Sequence, residues 1–346
     1  MTQRIFANGF ADLKDRRFID VACAGILVAD IFANPIPRLP NPGELTTTSS
    51  LVTSVGGSAA NTAVTLRILG HEVDVVGNVG SDMQGDFVVS ELQRRGIGVS
   101  RIRRSVHCPT SGTVILNVVG EDRRYLHSIG ANAEFASDDF DFSLFDCAKV
   151  LYFGGYLALP AFRAADLTEL LRAAKRRGLT TVVDVTMPAG TSYGIADIAS
   201  VLRYTDYFLP NCEEAARLTG VADCCGQAKR LSELNPECVV VITRGAQGPL
   251  VKWRGRFFET PPFRMESVDE SGAGDAFAAG LIAAVLRGWD LEAVLMFAAA
   301  VGCSSTRALG CFTGVFSFQQ AVSFLETEPL TRSRWDSLLG AHRRPA

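Results

Sequence analysis

The segment Asp269-Glu270-Ser271-Gly272-Ala273-Gly274-Asp275 sets two carboxylates six residues apart around a Gly-Ala-Gly turn, and the apolar run Ala276 to Ile282 follows directly. The second carboxylate falls where a helix can begin, so exposed backbone N–H groups and a candidate base share one small space. That pairing suits attack of a hydroxyl on a phosphate. A carboxylate alone would repel a phosphate, so the backbone donors and the positive end of the helix must offset it. The plainer reading of Asp275 is a helix-start carboxylate that stabilises the macrodipole.

Three further constellations carry polar chemistry. Gly56-Gly57-Ser58-Ala59-Ala60-Asn61 ends an extended run and starts a helix, which allows close backbone approach to a ligand and points Asn61 from the first turn; a simple tight turn is the alternative. Asn211 and Glu214 lie three apart on a helical first turn and could hold water around Mg²⁺, although an N-cap with a capping box fits equally well. Thr243-Arg244-Gly245, with Gly248 closing the turn, follows a strongly apolar strand and would approach nucleotide phosphates, unless Arg244 is only a surface charge. Neither G-x-x-x-x-G-K-[ST] nor the protein-kinase catalytic loop occurs in the chain.

The elements that must position these groups alternate. The pattern predicts strands at Val21 to Val28, Val73 to Val79, Val150 to Phe153, Thr180 to Asp184, Tyr207 to Leu209 and Val239 to Thr243. It predicts helices at Ser58 to Leu69, Phe87 to Arg95, Phe162 to Arg177, Glu213 to Leu218, Gln227 to Leu234, Gly274 to Arg287 and Leu291 to Arg307. Strand-then-helix order argues a mostly parallel sheet covered on both faces. Asp30, Asp184, Asn211 and Arg244 follow predicted strands, where open parallel sheets bind ligands. Three consecutive β-leaning runs, Val99 to Val106, Thr113 to Val119 and Arg123 to Ile129, interrupt the alternation and read as a small lid sheet, with Gly120-Glu121-Asp122 as a hairpin turn.

Composition excludes several classes. The chain has 346 residues, 47% of them hydrophobic, enough for a large core in one big α/β domain with an appendage or in two ordinary domains. A net charge of −3 with scattered Lys and Arg offers no face for nucleic acid and no polybasic membrane anchor. The nine cysteines are scattered without a C-x-x-C pair, as expected for reduced thiols. Charged residues from Arg4 to Arg17 and the lack of a long apolar run predict a cytoplasmic protein that does not enter membranes.

Taken in order, Asp30, Gly56-Gly57-x-x-x-Asn61, Gly77-Asn78-Val79-Gly80-Ser81-Asp82-x-x-Gly85, Gly130-Ala131-Asn132-Ala133, Asn211-x-x-Glu214, Thr243-Arg244-Gly245-x-x-Gly248 and Asp269 to Asp275 resemble the ribokinase-like, or PfkB-type, carbohydrate kinase family. Each piece is weak alone; seven in register are not. The resemblance implies a three-layer α/β/α fold with a mostly parallel central sheet and a small β-sheet lid. The kinase domain would span 18–330, with lid strands drawn from about 31–55 and 99–129 and with 1–17 and 331–346 as terminal extensions.

It also implies roles. Asp275 would be the base, and the N–H groups of Gly272, Ala273 and Gly274 the anion hole. Asp30, Gly57, Asn61, Asn132 and Asp184 would line the acceptor pocket. Asn211, Thr243, Arg244, Gly245 and Gly248 would meet ATP, and Glu214 would hold Mg²⁺ through water. Asp269 would lie beside a monovalent cation, usually K⁺, with carbonyls from Leu309-Gly310-Cys311-Phe312-Thr313. A homodimer through the lid would protect its exposed edges.

Departures bear on the acceptor. Ribokinases usually carry Asn, Lys and Glu where this chain has Val28, Ser58 and Gly130, and fructokinases usually follow the middle-strand Asp with Pro-Asn, whereas Asp184 precedes Val185-Thr186. The Gly-Gly-Ser start also occurs in nucleoside kinases of the family, so a sugar, a sugar acid and a nucleoside all stay open. A ligand-binding or regulatory protein that keeps the fold without turnover is the other class; intact Gly272, Gly274 and Asp275 favour the kinase.

Overall fold

Alternation of apolar side chains builds two cores from one sheet. In the computed structural model, which describes residues 18–342 except 122, 264 and 330, the strands are β1 (Val21–Gly25), β2 (Val28–Ile36), β3 (Ser50–Gly56), β4 (Val73–Gly80), β5 (Gly98–Ser105), β6 (Gly112–Val118), β7 (Arg124–Ser128), β8 (Val150–Gly154), β9 (Thr180–Val183), β10 (Tyr207–Phe208), β11 (Val239–Ile242), β12 (Leu250–Trp253) and β13 (Arg256–Glu259). The helices are α1 (Ser58–Ile68), α2 (Met83–Arg94), α3 (Ala164–Arg176), α4 (Ile195–Leu202), α5 (Cys212–Thr219), α6 (Cys224–Ser232), α7 (Ala273–Val285), α8 (Leu291–Ser305), α9 (Phe318–Thr327) and α10 (Arg332–His342).

The large sheet runs β13-β12-β11-β10-β9-β8-β1-β4-β5 and is parallel from β11 to β5, with β12 and β13 antiparallel at one end. Successive strand residues face opposite sides. Val21, Cys23, Val150, Tyr152, Val239 and Val241 therefore join the core under α1, α7 and α8, while Ala22, Ala24, Leu151, Phe153, Val240 and Ile242 join the core under α3 to α6. The result is the expected three-layer architecture. Helix α7 is buried from Ala276 through Ala284, all round its circumference, which marks a central helix and holds its N-terminus firmly.

A second sheet, ordered β3-β2-β6-β7, forms the lid. Its membership differs from the expectation. The run expected as Val99 to Val106 is β5, which pairs parallel with β4 at the edge of the large sheet. Arg101 binds Asp74 at 2.6 Å and Arg104 binds Asp86 at 2.8 Å, and such charges suit an exposed edge. The strand expected from Val21 to Val28 breaks after Gly25, and β2 carries the chain into the lid, so Asp30 sits inside a lid strand.

Three helices escaped the periodicity reading: α4, α9 and α10. In α4, Ile198, Val201 and Leu202 are buried at the spacing of one helical face. The described part of the expected C-terminal extension, residues 331–342, packs on the body: Trp335 is fully buried with its ring 5.4 Å from that of Trp289. The charged positions from Arg4 to Arg17 and the turn residue Asp122 lie outside the described residues. The nine cysteines are free thiols, and among the described residues no helix is long and apolar enough to cross a membrane.

Candidate active site

The winding of the large sheet reverses at β1, which lies between β4 and β8, and loops at the carboxyl ends of such strands form a crevice. Asp184 follows β9, Asn211 follows β10 and Thr243 follows β11, with Asn211 and Thr243 bridged to each other. From the opposite layer, α1 and α7 point their N-termini at the same crevice, and their first turns meet.

That meeting joins two predicted residues. Asn61 Nδ2 donates to Asp275 Oδ2 at 2.8 Å, while Asn61 Oδ1 is buried with no protein partner. An orphaned acceptor of this kind calls for a donor from water or a ligand. Burial pushes the Asp275 carboxyl up to about 6, against hydrogen bonds from Asn61 and Ser58 that favour its charged form. Asp30, also buried, rises to about 6 for the same reason; a Thr113 hydrogen bond opposes the rise and the charge of Asp275 adds to it. Gly56 makes room for it: a Cβ there would stand 1.8 Å from Asp30 Oδ2.

The turn before α7 is shaped by Gly272, which caps the helix at φ +73°; a Cβ on it would lie 2.5 Å from Cβ of Cys311. Gly274 differs, since a Cβ there would meet nothing within 4 Å. The helix N-terminus is thus open where an anion would sit. The Ala273 N–H makes a long 3.3 Å bond to the Glu270 carbonyl.

Two adjoining cavities share Thr243, Glu270, Ala273, Gly274 and Phe277. The smaller, of about 240 Å³, holds Asp184, Glu214 and Asp275. Burial raises Glu214 to about 7 despite N–H donors from Asn211 and Met187. Burial, then the charges of Glu214 and Asp275, raise Asp184 far above the carboxylate range, against a Tyr152 hydrogen bond. Asp184, expected among the acceptor residues, shares this cavity with both Glu214 and Asp275. Among the described residues no three side chains are clustered to hold a metal. Two acids in a polar cleft still suit Mg²⁺ shared with phosphate oxygens and water.

The larger cavity, of about 530 Å³, has Thr243, Arg244, Gly245 and Gly248 along one side and Phe263 and Phe277 as apolar wall, a size and lining that suit a nucleotide. Arg244 is steadied by the Gly248 carbonyl at 2.9 Å and Glu259 at 3.1 Å. Asn211 and Glu214 make the reciprocal capping box, Asn211 Oδ1 accepting from the Glu214 N–H at 2.8 Å and Glu214 from the Asn211 N–H at 2.9 Å. Gly57 caps α1 at φ 90°.

Asn132 stands apart. Its amide donates to the Leu27 carbonyl at 2.9 Å and accepts from the Leu27 N–H at 3.1 Å, and the residue is 1% exposed, so it braces the link between β1 and β2. Asp269 is also turned inward, bound by Ser271, Gly310 and Arg123. Arg123 was not among the predicted site residues; one of two adjacent arginines after a hairpin turn gives no local signal of its target.

The architecture is shared with solved kinases. It matches Arabidopsis thaliana ribokinase, a structure complexed with ribose and ATP, at a TM-score of 0.76 and 23% identity over 90% of this chain and 100% of that one. Xylella fastidiosa fructokinase with bound ATP matches at 0.75 and 23%, over 89% and 98%. These likenesses define the fold as ribokinase-like. The family model for pfkB family carbohydrate kinases matches residues 19–315, and the chain belongs to that family. Among curated relatives, 5-dehydro-2-deoxygluconokinase of Clostridium perfringens is 26% identical over 92% of this chain and 96% of its own length. The 2-dehydro-3-deoxygluconokinase of Bacillus subtilis is 25% identical over 90% and 96%.

Proposed function

We propose that this protein transfers the terminal phosphoryl group of ATP to a hydroxyl of a small sugar or sugar acid, with Asp275 as the base. One observation carries the reading: Asn61 holds the Asp275 carboxylate at the N-terminus of α7, next to the open backbone of Gly274.

Asp30 and the unpartnered Oδ1 of Asn61 accept hydrogen bonds from acceptor hydroxyls, and Asp275 takes the proton of the hydroxyl that attacks. The N–H groups of Gly272, Ala273 and Gly274 receive the charge that develops on the transferred group, the long Ala273 bond to Glu270 giving way to a better acceptor. Arg244 and the turn to Gly248 meet the nucleotide phosphates. Glu214 and Asp184 would hold Mg²⁺ through water, and the ion would supply charge neutralisation to the phosphates. The lid, which carries Asp30 on β2, excludes water, which would otherwise accept the phosphoryl group. The relatives named for dehydro-deoxygluconate kinases support an acid sugar as the first acceptor to try. A cytoplasmic homodimer joined through the lid completes the reading.

The test is nucleotide consumption with 5-dehydro-2-deoxygluconate, 2-dehydro-3-deoxygluconate, ribose, fructose and adenosine, with Asp275→Asn as control. Turnover should depend on one acceptor and fall by about 10²- to 10⁴-fold in the variant. A saturable thermal shift with a sugar but no turnover would instead mark a binding protein.

A further inference from the structure

The family likeness implies a monovalent cation beside Asp269, and the donors around that carboxylate do not fit one. Oδ1 accepts from Arg123 Nη1 at 2.7 Å and from the Ser271 N–H at 3.0 Å, and Oδ2 accepts from the Gly310 N–H at 2.9 Å. Both oxygens are engaged, and the residue is 3% exposed. The positive charge is already present as a guanidinium that cannot be deprotonated.

The guanidinium comes from the lid. Arg123 lies at the hairpin between β6 and β7, and the same Nη1 also donates to Ser271 Oγ at 2.7 Å. Asp269 and Ser271 immediately precede Gly272, and Gly310 precedes Cys311, against which Gly272 packs. Arg123 thus ties the lid hairpin to the turn before α7, and Asp269 carries the link on to the loop after α8.

We propose that Arg123 takes the place of the monovalent cation at Asp269, so that the protein works without potassium and the lid is coupled to the backbone donors at Gly272 to Gly274 through this ion pair. The catalytic half of the proposal rests on the kinase reading; the ion-binding half does not. Arg123 is a positioning residue, acting on the phosphate site through Asp269 and Ser271. Removing it leaves a buried carboxylate without its counter-charge, a costly state that a small cation would relieve.

The experiment compares KCl with choline chloride at equal ionic strength, for wild type, Arg123→Ala, Arg123→Gln and Arg123→Lys, by initial rate and by thermal unfolding. Wild type should be indifferent to the exchange in both readouts. The Ala and Gln variants should lose about tenfold or more in kcat in choline and recover in KCl, within the range of about 5- to 150-fold usual for linked sites. Their unfolding temperatures should be higher in KCl than in choline. Arg123→Lys, which keeps the charge, should stay independent of potassium. Activation of wild type by about fivefold or more in KCl would overturn the proposal. So would Ala and Gln variants that show neither rescue nor a thermal response. Should no acceptor be turned over, the kinase reading fails alone, and the thermal comparison still decides whether potassium replaces the guanidinium.

Discussion

The side-chain amide of Asn61 donates to the carboxylate of Asp275 at 2.8 Å, joining two helix N-termini 214 residues apart in the chain. The contact favours the charged, proton-accepting form of Asp275, whose carboxyl burial has raised to about 6. Turnover should therefore fall as pH drops through about 6. Asn61→Leu removes the donor and should move the acidic limb of the kcat profile to higher pH. A limb that stays in place or moves down would detach Asn61 from the base.

The same shift bears on stability. The folded Asp275 has a raised pKa relative to its ordinary 3.8, so its charge disfavours the folded state. The penalty is absent below about pH 4, grows as pH rises toward 6, and persists above. Asp275→Asn should accordingly unfold at a higher temperature than wild type at pH 8 and at nearly the same temperature at pH 4. A variant less stable at pH 8 would refute the sign.

Gly272 and Gly274 should separate structure from ligand approach. Gly272→Ala forces a Cβ into Cys311 at φ +73°, so both unfolding temperature and kcat should fall, the strain amounting to about 1–3 kcal/mol. Gly274→Ala meets no neighbour and adds a helix-favouring residue, so the fold should hold while KM for ATP rises. Equal thermal losses in the two variants would contradict the geometry.

Asn132→Ala orphans the buried N–H and carbonyl of Leu27, at about 1–3 kcal/mol for each group. Thermal unfolding should register the loss, with acceptor KM unchanged in the folded fraction. A raised KM at unchanged stability would restore Asn132 to the acceptor pocket.

The lid exposes Leu51 by 70% and Leu126 by 65%, on its two edge strands. Such apolar edges are covered when two copies pair. Light scattering at micromolar concentration should show a dimer, and Leu126→Lys should shift it toward monomer. A monomeric wild type at that concentration would sink the interface.

Much of this was legible locally. The strand-to-helix alternation, the turn at Gly272 and the capping box of Asn211 with Glu214 depend on neighbours within a few residues, and each reads directly from side-chain type and spacing. Strand membership was harder. Arg101 to Arg104 and the runs after them look equally β-like, yet β5 pairs with β4 while β6 pairs with β2, because pairing depends on which edge is nearby in three dimensions. Helix α10 was missed because a single Trp gives no periodicity, although that Trp fills a core gap beside Trp289.

From the sequence alone followed the family motifs in their order, the parallel sheet and a carboxylate beside backbone donors at a helix start, all properties of short segments. Tertiary structure decided that Asn61 holds Asp275, that Asn132 serves Leu27, that Asp184 stands with Glu214, and that Arg123 from the lid answers the Asp269 of the helix turn. Each of these depends on long-range packing that brings distant segments within hydrogen-bond or Coulomb reach, where burial strengthens the interaction and no local pattern records the partner.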